Sequence, residues 1–212
     1  IHANVTVDAT GDADIVAMAN GEMLIDGGVH VQNPTMMFRL LGADVARFKE
    51  AWGEDSITPA WVVDGLKTAH ARGGHLPRSK VFLFPTPRPS EILCNATRLV
   101  APDGSGLDPL DPDSLSHAER QGRRQARAYA EYFRSTLPGC EVAFLNDTGV
   151  QVGIRQPRQI LGRDVLLNDA VVSAAKCVDA VARSAWPIEV HVGASPQLSW
   201  LFDDYYEVPF GC

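Results

Sequence analysis

The chain has 212 residues, 45% of them hydrophobic and 21% charged, with a formal net charge of −7. Such a composition belongs to a soluble globular protein with one sizeable core or two modest ones, and the acidic balance argues against nucleic-acid or membrane-surface binding. No apolar run approaches the roughly 20 residues of a membrane span, and Cys94, Cys140, Cys177 and Cys212 form no paired motif, which fits a reducing cytoplasmic setting.

In chain order, Val5 and Val7 alternate with polar neighbours, as a strand end does. Thr10 and Gly11 break that strand. Asp12 is then the expected N-cap of a short helix with Ile15, Val16 and Ala19 on its apolar side. Strand, glycine turn and helix form the unit that α/β proteins use to bring backbone against a cofactor. A carboxylate at the helix start repels phosphate, so the turn offers close backbone approach at Gly11 instead. An ordinary capped turn is the plainer reading. A calcium loop is a poorer alternative: Asp8, Asp12 and Asp14 cluster, but the EF-hand glycine and terminal Glu are missing.

Gly21, Gly27 and Gly28 mark a loop, and residues 35–40 read as a strand. Helices are expected over 44–52 and 59–71, the second with Val62, Val63, Leu66 and Ala69 as an apolar stripe. Strands at 80–84 and 91–100 flank Pro85, Pro87 and Pro89, which cannot lie in a central strand. After a loop over 102–112, the longest helix is expected over 116–136. Ser116 and Glu119 there have capping-box spacing, and Pro138 and Gly139 form the stop. Gly122 inside that helix calls for close packing against another backbone, while Arg120, Arg123, Arg124 and Arg127 are solvated or paired with acidic neighbours. Strands at 141–145 and 150–154, a mostly helical stretch over 167–185, and strands at 186–192 and 205–210 complete the reading. The fold class is α/β with α+β character, a mixed sheet with packed helices.

Read together, several stretches resemble one large family of FAD-dependent oxidoreductases. Ala9-Thr10-Gly11-Asp12 is similar to the Ala-Thr-Gly-Asp segment of flavoproteins with a glutathione-reductase type of FAD domain. Thr35-Met36-Met37-Phe38-Arg39-Leu40 resembles the family's Thr-Leu-Met-Phe-Arg strand, and Asn95-Ala96-Thr97-Arg98 its Asn-Ala-Thr-Arg strand. Leu115 to Gln125 resembles its Leu-Thr-x-Ala-Glu-x-x-Gly-Arg-Arg-Gln helix start. Gly153-Ile154-Arg155, Pro187-Ile188-Glu189-Val190-His191 and Tyr206-Glu207-Val208-Pro209-Phe210 are similar to three later strands. Gln156 and Pro157 stand where the family has Glu-Ser.

The resemblance implies FAD as cofactor, with Ala9, Thr10, Gly11 and Asp12 beside it, and hydride transfer between FAD and a small organic substrate. It also implies a division into an FAD-domain remnant (1–28), a substrate domain (29–205) and a strand returning to the FAD domain (206–212). The Gly-x-Gly-x-x-Gly part would precede Ile1 and a further FAD segment would follow Cys212, so the chain reads as the interior of a longer protein. On its own, this portion is expected to be inactive.

Hydride transfer develops negative charge, so a cation is wanted near the flavin or the polar end of the substrate. Arg155 is the first candidate and Arg158 the second, since a strand would point them to opposite faces. A structural Arg is the other reading. His191 shares a strand face with Glu189, either as a proton-transfer group or as a structural His. No metal-ligand set is present. The expected partners are a small-molecule substrate and another copy of the chain, associating through Val5, Val7, Val208 and Phe210, with no nucleic acid and no membrane. The competing function is a ligand-binding or interaction domain without redox chemistry.

Overall fold

The computed structural model describes residues 2–26, 32–53, 58–155, 157–190, 197–199 and 204–212. Gly27, Gly28, Gln156 and His191 lie outside them. In chain order the elements begin with α1 (Asp14–Met18), β1 (Met23–Asp26), β2 (Phe38–Leu41), α2 (Val45–Trp52) and α3 (Ala60–Ala71). Next come β3 (Phe82–Pro85), β4 (Glu91–Asn95), α4 (Pro112–Thr136), β5 (Phe144–Thr148) and β6 (Arg158–Ile160). The last are α5 (Asn168–Val172), β7 (Ala180–Ser184), β8 (Ile188–Val190), β9 (Gln197–Ser199) and β10 (Tyr206–Pro209). The chain is an α/β protein whose described strand pairs are all antiparallel. Contacts divide it into two units, residues 33–155 and residues 1–32 with 156–212.

Among the described residues the unit 33–155 holds a four-stranded sheet, in the order β3-β4-β2-β5, whose inward side chains cluster with those of α2, α3 and α4. Pro85 ends β3, an edge strand, where its missing N–H goes unnoticed. Register places Phe38 beside Cys94 and Leu40 beside Ile92, and these four are buried in one cluster with Phe48, Leu66, Tyr129 and Phe133. Burying each large side chain contributes roughly 1.5–3 kcal/mol. Asp44 caps α2 by accepting from the Arg47 N–H at 3.1 Å, at the start of the helix expected over 44–52.

Helix α4 starts earlier than its internal capping box implied. Asp111 accepts from the Ser114 N–H at 2.8 Å with Pro112 in the first turn, a better stop than Ser116. Glu119 is engaged elsewhere, its Oε1 accepting from the Val152 N–H at 2.7 Å while Oε2 pairs with Arg123. Gly122 meets a side chain rather than a backbone. A Cβ there would lie 2.7 Å from Cβ of Met36.

The family-like motifs of the unit 33–155 are joined by side-chain hydrogen bonds. Thr97 Oγ1 accepts from the Met36 N–H at 2.7 Å and donates to its carbonyl at 3.0 Å. Gln125 accepts from the Arg98 N–H at 2.9 Å and donates to the Arg98 carbonyl at 2.8 Å, and Gln121 accepts from the Val100 N–H at 2.9 Å. Once β4 has ended at Asn95, these side chains replace the missing ladder. The strand expected to run to residue 100 is shorter for that reason.

Among the described residues the other unit has three two-stranded sheets, β1-β6, β7-β10 and β8-β9. Three further expectations of secondary structure fail. Residues 5–7 form no strand, and Val5 and Val7 are exposed. Residues 150–154 carry only one bridge, Gly153 to Thr35, with Val150 exposed and Val152 buried. Residues 167–185 are not mostly helical. Helix α5 stops at Val172, Ala174 turns left-handed at φ 54°, and β7 then pairs with β10. Val178, inside the stretch expected to be helical, meets no core and is fully exposed, and the residues after it pair as a strand instead.

Candidate functional site

The turn at residues 8–14 is built differently from its sequence reading. Asp12 does not cap α1. Ala13 holds that position in left-handed conformation (φ 54°) with no side-chain cap. Asp8 reaches forward instead: Oδ1 accepts from the Thr10 N–H at 2.9 Å and hydroxyl at 2.7 Å, and Oδ2 from the Val16 N–H at 3.0 Å. Thr10 Oγ1 accepts from the Asp14 N–H at 3.0 Å. The helix start is therefore filled by the chain itself, and no phosphate can be placed there.

These bonds, the Thr10 N–H foremost, hold the Asp8 carboxyl below its ordinary range. A depressed folded pKa stabilises the turn fully above the unfolded value of about 3.9 and loses that stabilisation as pH falls through the lower folded value. The Thr10 and Val16 amide resonances should accordingly hold at neutral pH and move with a midpoint below the ordinary Asp value. Asp8→Asn should abolish that titration. A midpoint at or above the ordinary Asp value would contradict the arrangement.

Gly11 has φ 85°, and a Cβ built on it meets no atom within 4 Å. It lies in the wall of a cavity of about 610 Å³ with Asp8, Ala13, Val16, Ile160 and Arg158. Arg158, the second of the two candidate arginines, is thus brought to the Ala9–Asp12 turn. Its Nη1 donates to the Asp12 carbonyl at 3.0 Å and to Asp14 Oδ1 at 2.6 Å, and the side chain is only 16% exposed. β6 delivers it by pairing with β1, Asp26 opposite Arg158.

Arg155, the first candidate, is exposed and lies at the end of the other unit, outside any strand. The alternation used to orient it is absent. Glu189 sits on β8 and accepts from Trp186 Nε1 at 3.2 Å, while His191 lies outside the described residues.

Sequence reasoning missed a second concavity, in the unit 33–155. A cleft of about 440 Å³ runs along the sheet past Arg39, Leu93, Thr86 and Glu91. Arg39 Nε donates to Asp147 Oδ1 at 2.8 Å and its Nη2 pairs with Oδ2, while Nη1 stands 3.7 Å from the buried Glu91. The Arg39 hydrogen bond holds Asp147 below the usual carboxylate range and raises the guanidinium. Phe82 and Phe84 stack at 6.3 Å on the strand beyond. Two local signals touched it: Arg39 lies in the Thr35–Leu40 stretch that resembles the family, and it sits between Phe38 and Leu40, the two core-facing residues of β2.

The chain matches the family model described as FAD dependent oxidoreductase over residues 1–212, and it belongs to that family. FAD is the family's cofactor. No match was found among the curated proteins or the solved structures compared with it. Among the described residues no helix is long and apolar enough to cross a membrane, and no group of three or more His, Cys, Asp or Glu could hold a metal ion. The residues at the Gly11 cavity fit the uncharged parts of FAD. Its volume is in the cofactor-pocket range of roughly 300–1,000 Å³, and the open Cα of Gly11 lets a flat group approach the backbone. They do not fit the pyrophosphate, because Asp8 fills the helix start and Arg158 is engaged by Asp12 and Asp14.

Proposed function

We propose that this chain is the substrate-side portion of a two-domain FAD-dependent oxidoreductase with a glutathione-reductase type of FAD domain, working in the cytoplasm. Its reaction is hydride transfer between FAD and a small organic substrate. Residues 1–28 and 206–212 belong with the FAD domain in this reading, and 29–205 carry the substrate side. The observation that supports it is the convergence of the Ala9–Asp12 turn and Arg158 on one cavity. FAD, when bound, supplies the hydride chemistry. Ala9, Thr10, Gly11 and Asp12 present backbone to it, and Arg158 holds that turn in place. Arg155 offers a cation to developing negative charge, and His191 holds or moves a proton at its imidazole.

The experiment is an FAD titration of the enzyme carrying this chain, read by flavin fluorescence. Gly11→Ala adds a methyl where no protein atom stands within 4 Å, so any affinity lost beyond the backbone strain reports the cofactor. The strain itself is about 1–2 kcal/mol. Gly11→Asn, which tolerates left-handed backbone better, should bind FAD at least as poorly because its side chain is larger. Unchanged FAD affinity in both variants sinks the reading.

A further inference from the structure

Helix α4 carries an unpartnered basic stripe. Arg120, Arg124, Arg127 and Arg134 are all exposed. At 100° per residue they fall within about 80° of arc and extend about 21 Å along the axis. Among the described residues none of the four makes an ion pair or hydrogen bond, whereas their neighbour Arg123 is held by Glu119. Glu131 is the one acidic residue inside the stripe. In a chain of net charge −7 such a concentration of positive charge is out of keeping with its surroundings. Long cations on a solvated helix are ordinarily interleaved with acidic residues at i±4.

The stripe borders an open strand edge. β5 is the last strand of the sheet, and among the described residues only β2 pairs with it. A groove of about 170 Å³ lies between them, with Arg127, Arg134 and Glu131 on the helix side and Ala143, Phe144 and Leu145 on the strand side. Phe144 is 52% exposed and Val142 is 77% exposed. Exposed edges attract added strands, and proteins commonly blunt them with charge. Here the four exposed arginines outweigh the single Glu131 beside the edge, so the net positive charge selects an incoming acidic strand instead of refusing one.

We propose that the α4–β5 face is a docking site for an acidic extended segment of another protein, added along the free edge of β5 with its carboxylates on Arg124, Arg127 and Arg134. Main-chain bonds supply the affinity, alternate apolar side chains rest on Phe144, and the arginines set specificity and the rate of encounter. Arg suits this role because its planar fork takes a carboxylate through two bonds.

The test uses the full chain and a fluorescein-labelled ten-residue peptide of alternating Glu and Val, followed by anisotropy. Three controls accompany it: the Lys-Val peptide, the Glu-Val peptide N-methylated at alternate residues, and a ten-nucleotide single-stranded DNA. The Glu-Val peptide should bind, weaken steeply with salt, and lose at least tenfold in affinity to the doubly substituted Arg127→Glu/Arg134→Glu protein. Circular dichroism should show that variant to be folded, since both side chains are exposed. Arg127→Lys/Arg134→Lys should retain part of the affinity. The N-methylated peptide should fail. Equal binding of the Lys-Val peptide, indifference to charge reversal, or full binding by the N-methylated peptide would each overturn the proposal. So would tighter binding of the oligonucleotide, which would make the face a nucleic-acid surface.

Discussion

Gly139→Ala is expected to destabilise the protein by roughly 2–5 kcal/mol, a large effect for a single added methyl. Two costs add. Gly139 has φ 84°, where a residue with a Cβ is strained by about 1–2 kcal/mol. The added Cβ would also lie 2.5 Å from the Asp44 carbonyl oxygen and 2.7 Å from the Phe48 nitrogen. Both are backbone atoms of the capped start of α2, so neither can swing aside. The Gly139 carbonyl itself accepts from the Asp44 N–H at 2.7 Å, which pins the two segments together. At about 2–4 °C per kcal/mol for a chain of this size, the melting temperature should fall by roughly 5–15 °C. Gly104→Ala is the control. It has the same left-handed backbone (φ 85°) and no atom within 4 Å of the new methyl, so only the strain is added. Equal losses in the two variants would mean that the approach of the α4 exit to α2 carries no weight.

How much of the fold was legible in the sequence depends on the range of the interactions. Helix α2 was legible because Asp44, Phe48 and Trp52 state cap and buried face within nine residues. α3 and the body of α4 were legible from apolar spacing for the same reason. The start of α4 was misread because Ser116 and Glu119 have the right local spacing. Glu119 is claimed by Val152, 33 positions away, and no local pattern announces that. The stretch 167–185 failed likewise: its alanines and valines fit a helix, but β10 takes the second half as a strand. At the candidate site, Gly11 was visible as a turn glycine. The cap was not, because Asp8 acts across eight positions on Val16. Arg158 was visible only as an alternative to Arg155, since its partner Asp14 is 144 positions away. The pairing of Arg39 with Asp147 spans 108 positions, so neither alternation nor the family-like stretch around Arg39 announced its partner.

The two candidate arginines should separate cleanly in the enzyme. Arg155→Ala is expected to lower turnover by about 2–4 kcal/mol of transition-state stabilisation, roughly 30- to 1,000-fold, through loss of a charge-stabilising donor. Because Arg155 is exposed, its melting temperature should scarcely change. Arg158→Ala should behave in the opposite way. It leaves the Asp12 carbonyl and the Asp14 carboxylate without the Nη1 that joins them, in a place where the Arg side chain is 16% exposed. Removing one partner from such a pair costs about 1–3 kcal/mol. That loss should appear as a lower melting temperature and weaker FAD binding, with turnover of the FAD-saturated enzyme nearly preserved. Arg158→Lys should recover the contact to Asp14 or the one to Asp12 but not both geometries, because an ammonium lacks the planar fork. The decisive measurement is a pair of readings on each variant, melting temperature and turnover at saturating FAD. If Arg155→Ala melts early with turnover per folded molecule intact, Arg155 is a structural residue. If Arg158→Ala instead loses turnover with its stability and FAD affinity unchanged, the positioning role of Arg158 is wrong and the charge at the reacting atoms is its own.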